Sequence, residues 1–193
     1  MIKLAIYGYG GHAREVAAQI NKEVTFFVDD QYANDIALPI STFNPEEYTM
    51  LVAVANSRDR MDIVNRLPSN TKYFTYIHPS VLILSDDVHI GEGSFIGANC
   101  ILTTNIKIGK HCILNRSVHI GHDCEIGDYF SAMPAAMVSG NVKIYDLVYL
   151  GTNSSIKEKT SIHSLATIGM GAVVVNHINT SGTFVGVPAK LVK

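Results

Sequence analysis

The sequence predicts two unlike parts in tandem: a small α/β domain over residues 1–78, and a parallel β-helix with its tail over residues 79–193. Three observations predict them. A six-residue hydrophobic repeat runs from Leu84 to Val174. Before it, short apolar strands alternate with helical patterns. Between the first strand and the first helix stands a glycine-rich turn, Gly8-Tyr9-Gly10-Gly11-His12-Ala13.

The first part builds in chain order. Lys3–Tyr7 is an apolar strand, and a helical pattern follows the turn through Ala17, Ala18 and Ile20. Val24–Val28 is a second strand, ending in Asp29-Asp30. Met50–Ala55 is a third, followed by Asn56, Ser57 and a helix from about Asp59 to Leu67. Lys72–Ile77 reads as a fourth. This alternation means a small parallel sheet. His78-Pro79-Ser80 is the expected join.

The second part follows a period of six. Every sixth residue from Leu84 to Val174 marks an inward position, and fifteen of the sixteen hold Leu, Ile or Val. About four would be expected by chance. The exception is Ala132. Four places after each inward position sits a second, mostly small residue, as at Ser94, Cys100, Ala136 and Ala172. One place after many stands glycine, as at Gly91, Gly109, Gly121 and Gly151, where a corner conformation is expected. The register shows no insertion. A helix repeats about every 3.6 residues and cannot produce this pattern. Three flat sides of six residues, stacking every eighteen, can, and sixteen hexads make a little over five coils. Apolar residues on the flat sides, such as Ile101 and Leu150, suggest self-association. The segment from Gly182 to Lys193 is expected to leave the repeat.

Composition agrees with a packed protein. Of 193 residues 47% are hydrophobic and 17% charged, and the net charge of −2 predicts no affinity for nucleic acid or anionic membrane. No apolar run approaches the roughly 18 residues of a membrane span. The N-terminus reads as a strand rather than a signal peptide, so the cytoplasm is the expected compartment. Cys100, Cys112 and Cys124 are spaced by twelve, which the repeat explains as small core residues rather than disulfides or ligands.

Gly8-x-Gly10-x-x-Ala13 between strand and helix fits a relaxed phosphate-binding fingerprint, with a helix N-terminus behind it. Asp29 lies 21 residues beyond Gly8, where a carboxylate can accept from a ribose hydroxyl. The alternative is a structural turn with Asp29 and Asp30 as solvated charges. The domain is about half a dinucleotide-binding fold, so a mononucleotide or nucleotide sugar suits it better than NAD.

Eight histidines are present, and periodicity alone makes any one of them a surface residue. His122 stands two places after the inward Ile120, pointing outward, where a neutral imidazole is a suitable general base. A zinc site on a β-helix would need a different arrangement: His119 and His122 are three apart, on opposite sides of a glycine corner.

Taken together, the hexads resemble the left-handed β-helix of the hexapeptide-repeat acyltransferases. Phe184-Val185-Gly186-Val187-Pro188-Ala189-Lys190 is similar to that superfamily's G-x-P-A-K/R ending. With Gly8–His12 and Asp29-Asp30 in front, the chain resembles one subgroup, the UDP-amino-sugar N-acetyltransferases of the bacillosamine type and the related sialic-acid O-acetyltransferases. The left hand comes from the resemblance, since periodicity gives a coil without its hand.

The resemblance implies acetyl-CoA as co-substrate, no metal, and direct transfer to the amine of a UDP-linked sugar of the 4-amino-4,6-dideoxy type. It also implies a homotrimer with sites at its interfaces, working in glycan biosynthesis. His122 would be the general base, Asp123 would orient it, and Asn115 would place the amine or a water. Strand alternation would set Asp123 on the opposite side from His122. Gly10, Gly11, His12, Asp29, Asp30, Asn56 and Arg60 match the UDP-binding positions. Gly140, Gly151, Thr152, Gly169, Met170, Gly186, Pro188 and Lys190 match the acetyl-CoA channel. Nine residues after His122 the subgroup often carries a second histidine near the thioester; this chain has Ser131, which would donate to the thioester carbonyl instead. Two other functions remain open: O-acetylation of a sialic acid or another sugar hydroxyl, or nucleotide-sugar binding with catalysis lost.

Overall fold

A computed structural model of the chain describes residues 2–192. Met1 and Lys193, the outer ends of the two expected domains, lie outside the described residues. Lys3–Tyr7 (β1), Thr25–Val28 (β2), Ala37–Pro39 (β3), Tyr48–Val52 (β4) and Lys72–Tyr73 (β5) form one parallel sheet in the order β3-β2-β1-β4-β5. Gly11–Ile20 (α1) crosses from β1 to β2, and Ser57–Arg66 (α2) from β4 to β5. The strand order reverses between β1 and β4, which opens a crevice beyond the strands' carboxyl ends. Strand β3 has no hydrophobic alternation to announce it. It is three residues long, ends in Pro39 and sits at the sheet edge, where a missing N–H costs least.

Lys72–Ile77 is not one strand. Lys72–Tyr73 pairs with β4, the chain steps across at Phe74-Thr75, and Tyr76–Ile77 pairs with Phe95–Ile96. The β-helix therefore starts ahead of the expected join at 78.

From there the chain winds a three-sided prism, a left-handed parallel β-helix. Face 1 runs from Tyr76–Ile77 to Gly182–Val185, face 2 from Leu82–Ile83 to Val173–Val174, and face 3 from Val88–Ile90 to Ser161–Ile162. Successive coils are eighteen residues apart, as in the register Ile101, His119, Met137, Ser155. The inward positions and all three cysteines from Ile96 onward form one buried core.

Four expectations change. The first coil carries one extra residue between Ile83 and Val88: Ile83 pairs with Leu102 nineteen residues on, whereas Val88 pairs with Ile106 eighteen on. The inward residue of that rung is therefore Ile83, and Leu84 is 63% exposed. Leu150 does not face outward; it is fully buried in the prism, unlike Ile101. The tail does not leave the fold. Gly182–Val185 adds a further parallel rung to face 1, and Lys190–Leu191 folds back antiparallel on it.

The glycines also act differently from expectation. Every sixth residue from Gly93 to Gly171 takes the left-handed conformation, with φ between 51° and 70°, yet twelve of these fourteen are not glycine. They stand three places after an inward position. From Asn99 onward their N–H groups donate to the preceding coil, as Asp123 does to Thr104 and Tyr129 to Lys110, which satisfies corner backbone that a strand geometry would leave unpaired. The glycines one place after an inward position serve close approach instead. A Cβ at Gly91 or Gly151 would lie 2.5 Å from the backbone of the next coil.

The faces differ in what covers them. Phe95 and Ile113 point outward from face 1 but are 1% exposed, because Ile6, Val16 and Leu51 of the α/β domain pack on them. Each such burial stabilises by about 1.5–3 kcal/mol. Face 3 displays Lys107, Glu125 and Lys143 in register, with Lys143 paired to Glu125 at 3.1 Å. Face 2 displays Leu82, Ile101, His119, Met137, Ser155 and Val173, and no part of the described chain lies over it. No helix of the structure is long and apolar enough to cross a membrane.

Candidate active site

His122 sits on the corner between faces 2 and 3, in Gly121-His122-Asp123. Asp123 is the left-handed residue of that corner, with φ 59°, and so it is not a strand residue. The turn brings both side chains to the same side, contrary to the expected alternation, and Asp123 Oδ2 lies 2.7 Å from His122 Nδ1. A carboxylate there accepts a proton-bearing Nδ1, which leaves the Nε2 lone pair free. Asp123 Oδ1 accepts from Asn105 Nδ2 at 2.7 Å. These two hydrogen bonds, His122 first, hold the Asp123 carboxyl below its usual pKa. Gly140, one coil on, has no side chain because the His122 ring fills that space: a Cβ there would lie 2.5 Å from Nε2. Gly140 thus belongs to the histidine's own edge. The His122 side chain is 57% exposed.

The other edge of face 2 carries most of the expected acetyl-CoA residues. Asn115, Gly151 and Gly169 stand on it in register, with Thr152 and Met170 beside them, and Met170 is 80% exposed. Gly186 accepts from the Val173 backbone, and the segment through Pro188 and Lys190 folds back at the same end. Asn115 is buried, and its Oδ1 accepts from the Arg116 N–H at 2.7 Å. Among the described residues no hydrogen bond joins it to His122 or Asp123. One chain therefore divides the expected site between two edges of one face.

Two expected ligand contacts are overturned by burial. Arg60 is 0% exposed and donates to the carbonyls of His111, Val54, Ala55, Tyr129 and Phe130 and to Ser131 Oγ, at 2.5 to 3.2 Å. Every donor direction is spent on protein, so the residue joins α2 to the prism and does not reach a nucleotide. Burial brings its pKa down to about 10, so it keeps its charge at neutral pH. Ser131 faces out from face 1 and is also 0% exposed. It accepts from Arg60 and donates to the Ala55 carbonyl at 2.7 Å, which removes it from any thioester. Asn56 caps α2, accepting from the Arg58 and Asp59 N–H groups. It lines a groove of about 670 Å³ between the domains, together with Ser57, Arg58, Tyr149, Thr167 and Thr183.

The nucleotide reading has a cleft to match. Tyr7, Gly8, Tyr9, Gly10, Val28, Asp29, Tyr32 and Asn34 enclose about 350 Å³ at the carboxyl ends of β1 and β2. Gly8 has φ 109°, which a side chain would resist. Open space faces Gly10 and Gly11, where α1 begins. Asp29 Oδ1 accepts from Tyr7 Oη at 2.6 Å and from Arg66 at 3.1 Å, leaving Oδ2 to the cleft. Burial and Asp29 push the Tyr7 hydroxyl up to about 12. Asp30 turns away to accept from the Ser41 N–H at 3.0 Å. His12, just past the cleft, is pulled down to about 4 by burial and then by Arg60 and Arg116, so it is neutral; its Nε2 has no partner among the described residues. Sequence reasoning missed Tyr7, Tyr32 and Asn34. Only Tyr7, as the last strand residue before the glycine turn, carried a positional signal.

Residues 3–67 match the PglD N-terminal domain family. Over 171 residues the chain is 30% identical to a GDP-perosamine N-acetyltransferase of Escherichia coli O157:H7, covering 79% of this chain and 77% of that protein. The solved structure of WeeI from Acinetobacter baumannii AYE superposes with a TM-score of 0.92 at 30% identity, over the whole of both chains. The acetyltransferase domain of PglB from Neisseria gonorrhoeae FA1090, solved in complex with acetyl coenzyme A, gives 0.86 at 30% identity over 98% of each chain.

Proposed function

This chain belongs to the hexapeptide-repeat sugar N-acetyltransferases, and from that premise we propose that it acetylates a UDP-linked 4-amino-4,6-dideoxy sugar with His122 as general base. It is an acyltransferase that uses acetyl-CoA on the amine of a nucleotide sugar. The observation that carries the base is the 2.7 Å contact from Asp123 to His122 Nδ1 on an exposed corner. Nε2 takes a proton from the sugar amine as the nitrogen attacks the thioester carbonyl. The C–N bond forms, the C–S bond breaks, and CoA leaves as thiolate, to be protonated in turn. Asp123 steadies the imidazolium meanwhile. Positioning and backbone N–H groups at the oxyanion supply the rest.

The division of the site supports assembly. Face 2 is apolar and uncovered, with the base on one edge and the acetyl-CoA residues on the other. Packing copies into a trimer, edge to edge, completes three sites, each with His122 from one subunit and Asn115, Thr152 and Met170 from the next. Among the described residues the amide NH₂ of Asn115 makes no hydrogen bond and is left to place the amine or a water. The state of Asp29 supports a nucleotide in the cleft: its Oδ1 already accepts twice, and the remaining Oδ2 suits a ribose hydroxyl.

Free-thiol release from acetyl-CoA tests the reading. Release with a UDP-4-amino-4,6-dideoxy sugar is expected. Release with only the GDP-linked amino sugar would overturn the nucleotide assignment. Release with sialic acid alone would favour the O-acetyltransferase.

A further inference from the structure

We propose that Asn105 is a positioning residue for acetyl transfer, clamping Asp123 so that its other oxygen stays on His122 Nδ1; this deepens the reading of His122 as base and rests on it. Asn105 stands one coil before Asp123 at the equivalent corner, eighteen residues earlier, and takes the same left-handed conformation with φ 51°. Its Nδ2 donates to Asp123 Oδ1 at 2.7 Å, while Asp123 Oδ2 meets His122 at 2.7 Å. One carboxylate oxygen is thus committed to each partner, and the rotation that would carry Oδ2 off the ring breaks both bonds. An exposed carboxylate needs such a hold: the Asp123 side chain is 43% exposed, and water competes for it. The donor is an amide, so it fixes the carboxylate without cancelling the charge that stabilises an imidazolium.

The clamp is itself anchored. The Asn105 backbone N–H donates to Asp87 Oδ1 at 2.7 Å, and the Thr104 hydroxyl bonds both Asp87 oxygens at 3.2 and 3.0 Å. Asp87, Asn105 and Asp123 therefore form one chain along the edge that carries His122. The tolerance of asparagine for left-handed corners does not explain this. Asn141, one coil beyond Asp123 with φ 58°, makes no side-chain hydrogen bond among the described residues. The bond forms only on the side of Asp123 where it fixes Oδ1.

Asn105→Gly keeps the corner conformation and removes only the amide. In the full-length protein, ¹⁵N NMR of histidine should show His122 protonated at Nδ1, and a mixture of tautomers in Asn105→Gly. The kcat should fall by about three- to tenfold with both KM values unchanged. In an Asp123→Gly background the same substitution should cost nothing further. An equal loss in both backgrounds would mean a merely structural role and overturn the inference, as would an unchanged tautomer and kcat. Near-normal turnover of His122→Ala would overturn the base assignment, and the inference with it. A His122-dependent enzyme indifferent to Asn105 would overturn the inference alone.

Discussion

His122 stands two places after an inward position and His111 three, yet that step does not separate an exposed histidine from a buried one. Asp123 also stands three places after and is exposed. His111 is 4% exposed because the α/β domain lies on its corner: Tyr73 meets its ring edge-on at 4.6 Å and Tyr129 stacks on it at 5.2 Å. The hexad fixes where a side chain leaves the prism, whereas the cover from the other domain comes from Tyr73, 38 positions earlier. For that reason the outward placement of His122 was legible and the burial of His111 was not. The contact of Asp123 with His122 was also hidden, since strand alternation argued against it until the left-handed corner was seen. His111 carries a pH prediction. Burial pulls its pKa from 6.5 down to about 4, so the unfolded chain binds a proton in that window and the folded chain does not. Its contribution to stability is complete above about pH 6.5 and falls as pH drops toward 4. The Tm should decline over that range, and His111→Leu should make the decline shallower, leaving the share of His12. Leucine already takes the left-handed position in this column at Leu147 and Leu165. An equal slope in the variant would exclude His111 as a source.

At the scale of elements, α2 shows what periodicity can and cannot say. Its helical pattern was readable within two residues at the start, whereas Asn56, matched to a nucleotide position, proves to be its cap. Arg60 was readable only as a cation near a phosphate site. A fully buried arginine without a carboxylate partner is rare, because its charge must be met entirely by hydrogen bonds. Here three carbonyls of the prism, those of His111, Tyr129 and Phe130, with those of Val54 and Ala55 behind them, supply that. The acceptors in the prism lie 51 to 71 residues away, beyond any local signal. The chain's step from β5 to the first prism rung was likewise invisible, since Lys72–Ile77 has strand character on both sides of it. Arg60→Leu would leave those carbonyls unpaired in a dry interface. It should destabilise the protein by at least about 3 kcal/mol. Urea unfolding followed by tyrosine fluorescence and by circular dichroism would show it, as a lower midpoint and two separated transitions in place of one. A single transition at the native midpoint would mean that α2 is held to the prism by apolar contacts alone.

Across the whole molecule, the three faces have three fates: one under the α/β domain, one charged, one apolar and bare. The sequence carried the distinction between faces 2 and 3 in its outward residues, but the cover on face 1 depends on Phe95 and Ile113, which read equally well as exposed. The bare face is also the one whose edges divide the expected site, and this permits a test that single substitutions cannot give. His122→Ala removes the base edge and leaves the acetyl-CoA edge whole. Thr152→Trp blocks the acetyl-CoA edge and leaves the base. Each variant alone should be nearly inactive. If each site takes one edge from each of two neighbouring subunits, unfolding and refolding a one-to-one mixture should restore roughly a quarter of native activity, since a quarter of interfaces then pair two intact edges. If one chain held both edges in a single site, the mixture would stay as inactive as its components. Recovery after co-refolding, with none when folded variants are merely mixed, would tie catalysis to the assembly on face 2.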